Sequence, residues 1–139
     1  MVVRLTRAIA LAAILGLVLA LPVAADAPVE LGPFVDIFED IDPCTSETHT
    51  VTISSTVFAH EHGDRIVAHG VRTLTTSSGY EGRGTSAYVF NGQVELNPFT
   101  DILTNAETGD RIRASGIFVL DLSTDTVRTE RFVLTCVGG

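Results

Sequence analysis

Lysine does not occur in this sequence of 139 residues, so all nine basic charges are arginine, set against seventeen acids. Two of those arginines, Arg4 and Arg7, sit at the extreme N-terminus, and the rest of the chain is left with a formal charge of 7 − 17 = −10. Such a balance repels phosphate backbones and anionic lipid, which excludes nucleic acid and membrane surfaces as expected partners and favours solubility. Cysteine is nearly absent, with two residues. No segment after residue 25 carries an apolar i, i+3, i+4, i+7 stripe over three turns, so helices are not expected there. Catalytic signatures are missing as well. There is no G-x-S-x-G, no HExxH and no EF-hand, and "GYEGRG" lacks the Lys-Ser/Thr of a phosphate loop. No metal, no cofactor and no catalytic residue is expected from these absences, and the balance leans away from an enzyme.

What is present begins with an export signal. Arg4 and Arg7 form a positive n-region, Ala8 to Leu21 is an uninterrupted apolar run, and Val23 and Ala25 are the small residues a signal peptidase reads. The run is shorter than the ~20 residues of a membrane-spanning helix. Residues 1–25 are therefore expected to be a signal peptide, and the mature chain is expected to be secreted and extracellular. Its 114 residues, Asp26 to Gly139, suffice for one compact domain. In an exported chain, Cys44 and Cys136 are expected to form a disulfide.

Residues 26–43 read as an acidic extended arm, interrupted by Pro28, Pro33 and Pro43, with Phe34, Val35, Ile37 and Phe38 available to lie on the domain. Residues 44–139 are rich in Thr, Val, Ile and Phe with frequent Gly, which favours strands. Expected strands are residues 47–59, 65–76, 85–91, 93–103, 111–122 and 126–137, joined by "EHG", "SSGYEGRG", "NG", "NAETGD" and "STD". Turns this short make neighbours antiparallel. The expectation is an all-β meander of about six to eight strands, closed as a barrel or folded as a sandwich.

A repeat lies inside it. "EHGDRIVAHGVRTL" (Glu61 to Leu74) and "ETGDRIRASGIFVL" (Glu107 to Leu120) agree at eight of fourteen positions, 46 residues apart. The shared residues are turn chemistry and strand spacing, so "GDRI" is expected to serve geometry, with Gly63 and Gly109 at positive φ. The histidines are not shared: Thr108 replaces His62 and Ser115 replaces His69.

Three of the four histidines fall between His60 and Gly70. A three-residue loop, Glu61 to Gly63, places Val57 opposite Val67, Ile53 opposite Val71 and Ser55 opposite His69. This register gathers one apolar face, whereas a two-residue loop puts Arg72 on the core face, so the first is preferred. On it His60 and His62 face solvent, too wet and unsupported for a metal site. His69 falls on the apolar face, as a core imidazole bonded to Ser55 or as a polar group in a barrel mouth. Ser55, His69, Tyr88 and Arg83 are the candidate ligand-binding residues.

"DPCTSETHTVTI", the "GDR" hairpin, "GYEGRGT", "NG" and the closing "LTCVG" resemble small secreted bacterial proteins of uncharacterised function that open on Pro-Cys-Thr-Gly-Glu. Ser46 stands where that opening has glycine. The resemblance implies no activity. A meander of this size is also similar in architecture to lipocalin-like and allene-oxide-cyclase-like barrels, an analogy that transfers no residues. Three readings stay open: a carrier of a small apolar or amphipathic ligand, a cyclase- or isomerase-type enzyme using a barrel histidine, and a protein-interaction or inhibitor module.

Overall fold

The computed structural model describes residues 27–138. The expected signal peptide, residues 1–25, lies outside them. Seven strands follow one another: β1 (Val29–Ile41), β2 (Thr48–His62), β3 (Arg65–Thr76), β4 (Tyr80–Phe90), β5 (Val94–Asn105), β6 (Arg111–Asp121) and β7 (Thr126–Val137). They form a single sheet in sequence order, every neighbouring pair antiparallel. One sheet rules out the sandwich. The sheet curls into a half-barrel, and the acidic segment expected to be an extended arm supplies its first strand.

Curling follows from where the apolar side chains point. Period-two alternation puts Val51, Ile53 and Val57 of β2, Leu74 of β3, Leu103 of β5 and Ile112 of β6 on one face, all buried. Phe38 of β1 packs in one cluster with Leu103 and Ile112 of β5 and β6. The disulfide from the turn after β1 to β7 can close only if the sheet curls, so the concave face is the core. A second cluster, around Val57, Ala68, Tyr88 and Phe90, fills the other end.

The two edges, β1 and β7, run in the same direction and make no ladder with each other. They are tied at one end by the expected disulfide, Cys44 to Cys136, with Cα atoms 4.9 Å apart across 92 residues of chain. Beside it Asp42 is 1% exposed, accepting the Cys44 amide at 2.8 Å and facing the Tyr80 hydroxyl at 3.5 Å. Ser46, in the same turn, holds φ 65°, a conformation that suits glycine better.

The β2–β3 register differs from the sequence expectation. Val57 pairs with Gly70, Ile53 with Leu74 and Ser55 with Arg72, around a two-residue turn of Gly63 and Asp64. The difference from the expected pairing is an odd number of residues, which turns every β3 side chain to the other face. Gly63 at φ 62° as the first central residue marks a II′-type turn, whose twist matches the strands. Gly109 is also at positive φ, 79°, but its loop between β5 and β6 is longer. A second correction concerns "GYEGRG", of which only Gly79 stays in the turn: β4 starts at Tyr80, and both following glycines are inside the strand.

Candidate functional site

A row of paired residues crosses the concave face at mid-height: Phe34, Ser55, Arg72, Gly84, Asp101, Ala114 and Leu134, one from each strand. At its centre is a buried ion pair. Arg72 Nε donates to Asp101 Oδ1 at 3.1 Å while its terminal nitrogen bonds Oδ2, a two-pronged contact between strands that are not neighbours. The pair reaches across β4 because position 84 has no side chain: a Cβ there would lie 1.7 Å from Asp101 Oδ1. The Phe99 ring lies 5.1 Å from the guanidinium carbon, adding a cation–π contact.

Above this row a cavity of about 110 Å³ opens in the concave face, far more than the ~10–15 Å³ that one water requires. Its walls are mostly apolar, with Val51, Ile53, Leu103 and Phe118 among them, and the polar groups on them include Ser55, Arg72, Asp101, Tyr88, Asn97 and His49. Asp36 and Asp40 of β1 line it from the free edge. Asn97 donates from Nδ2 to the Ala87 carbonyl at 2.6 Å, and Ser86 Oγ donates to the Tyr88 hydroxyl at 3.3 Å. Burial holds the Tyr88 phenol above its ordinary pKa, so it remains a neutral donor and acceptor.

The four candidates named from sequence divide evenly. Ser55 and Tyr88 line the cavity. His69 and Arg83 are exposed on the convex face, His69 stacked on Phe58 with ring centroids 5.1 Å apart. The histidine that does line the cavity is His49, which the sequence reading passed over. It is 7% exposed, its Nδ1 lies 2.6 Å from Ser78 Oγ, and its ring meets Tyr80 edge-on. Arg72, Asp101 and Asn97 were missed too. The signal that could have found Arg72 is the repeat itself: the shared Ile66, Ala68, Gly70 and Leu74 all have its parity, which is the inward one.

Glu95 is the first inward group of β5. It sits between Phe90 and Leu120, is 1% exposed, and neither carboxyl oxygen has a hydrogen-bond partner among the described residues. Burial in apolar surroundings pushes its carboxyl up to about 8, so it is mostly protonated at neutral pH. The arrangement as a whole can enclose a small molecule, contact it over apolar walls and fix its orientation through a handful of polar groups. No family model matches the chain, and no match is found among curated proteins or solved structures.

Proposed function

We propose that the protein is exported and binds a small amphipathic molecule in the hollow of its half-barrel without altering it chemically. One observation carries this reading: the concave face is left open as a mostly apolar cavity instead of being packed shut. A sheet whose only task was to be stable would fill that volume, because each void forfeits contact energy. A disulfide and the absence of any membrane-spanning helix among the described residues accord with an extracellular carrier.

The test is titration with the neutral fluorophore N-phenyl-1-naphthylamine, alongside native mass spectrometry of the purified protein. Saturable fluorescence enhancement is expected, weakened at least about tenfold in Ala114→Phe, which fills the cavity wall. Absence of saturable binding together with no co-purified molecule rejects the carrier reading. A second reading, a cyclase- or isomerase-type enzyme, is favoured by His49, which faces the same cavity beside Tyr80.

A further inference from the structure

The inward side chains of β5 form a ladder: Glu95, Asn97, Phe99, Asp101 and Leu103, all buried. The last four line the cavity, and Glu95 stands one step beyond Asn97, about 7 Å along the strand. Tyr88 and Asn97 border the cavity on that side, and Asn97 is the next inward residue to Glu95 along β5, so the carboxyl lies directly behind that border.

The charges around the cavity are one-sided. Its one arginine, Arg72, has its guanidinium committed to Asp101. Asp36 and Asp40 add negative charge at the β1 side. Among the described lining residues the one other group able to carry positive charge is the His49 imidazole, whose Nδ1 faces Ser78, so the lining favours a cation over an anion, and a purely apolar ligand would leave both Glu95 oxygens bare in a place where bare polar atoms are costly. A primary ammonium supplies three donors and the complementary charge.

Building on the carrier reading above, we propose that the ligand is an amphipathic amine, its apolar tail in the cavity and its ammonium passing Tyr88 and Asn97 to pair with the Glu95 carboxylate. The exchange balances as Glu95–COOH plus R–NH₃⁺ giving Glu95–COO⁻ paired with R–NH₃⁺, with one proton released to solvent. On the packed elements the titratable and charged groups concerned are Tyr88 of β4, neutral by burial, and Arg72 of β3 with Asp101 of β5, which cancel each other. The facing residues of the second core cluster, among them Val57, Ile66 and Ala68, carry no charge.

Isothermal titration calorimetry with octylamine, octan-1-ol and octanoate, each in two buffers of different ionisation enthalpy, tests this. At pH 7 octylamine is expected to bind at least about tenfold more tightly than octan-1-ol, to release close to one proton, and to gain roughly tenfold more by pH 9, where the free carboxyl is ionised. Octanoate is expected to be weakest. In Glu95→Gln the alcohol should bind as before, while the amine loses its advantage and its proton release. Amine and alcohol binding alike in the wild type, or an amine preference that survives in Glu95→Gln, overturns the assignment and leaves the carrier reading standing. Failure of all three probes to bind overturns both. Should the variant not fold, the comparison of amine with alcohol in the wild type decides by itself.

Discussion

Glu95 places a carboxyl among apolar side chains where neither oxygen has a described partner, and this couples stability to pH. Its folded-state pKa is raised to about 8 from an ordinary 4.5, so the folded protein holds the proton more tightly than the unfolded chain. The stability this gives is fully present below about pH 4.5 and is lost as pH rises toward 8, at up to about 1.4 kcal/mol per pH unit. Glu95→Gln is expected to match the wild type in acid and to exceed it increasingly up to pH 8, by a few kcal/mol, in urea unfolding across that range. Parallel pH profiles for the two proteins would show that the carboxyl is not held neutral. Nothing in the sequence announces this group. "NGQVELNPF" shows a glutamate two residues after a turn, and such a residue is solvated in most hairpins.

At the scale of the element, the two copies of the repeat show how far a pattern can be read. Ile66, Ala68, Gly70 and Leu74 in β3 correspond to Ile112, Ala114, Gly116 and Leu120 in β6, and all eight point inward. Among the positions that differ, His69 against Ser115 and Val67 against Arg113 point outward, while Arg72 against Phe118 points inward. The face of β3 was therefore legible from the shared residues. The expected hairpin register turns β3 the other way because a lone inward arginine is costly, but the partner that satisfies Arg72 comes from β5 and lies outside the hairpin. The same contact explains Gly84 of β4. Gly84→Ala would drive a methyl into the Asp101 carboxylate and leave a buried guanidinium short of its partner. We expect a loss of about 3 kcal/mol in chemical denaturation, and a smaller loss when Asp101 is already alanine. Additive losses would mean that the glycine serves some purpose other than admitting the ion pair.

Across residues 27–138 the fold is a curled sheet whose two edge strands have no second partner among the described residues and are joined by a disulfide. The disulfide closes a 92-residue separation, for which chain entropy alone gives about 4–5 kcal/mol and measured bridges often less. Cys44→Ser with Cys136→Ser is expected to lower stability by about 2–5 kcal/mol. Amide exchange should then accelerate first in β1 and β7, each of which has a single hydrogen-bonded neighbour. Uniform acceleration across all strands would show that the tie acts on the unfolded chain alone. By itself the sequence determined the all-β class, the antiparallel order, the partner of each cysteine and the positive φ of Gly63 and Gly109, because strand alternation, short turns and a cysteine count of two are local or combinatorial facts. Only the tertiary structure decided which face of β3 turns inward, which histidine borders the cavity, and that Arg72 meets Asp101 over a glycine. Those outcomes depend on contacts between strands that are distant in the chain, and the energy of a buried polar group is set by the partner that reaches it.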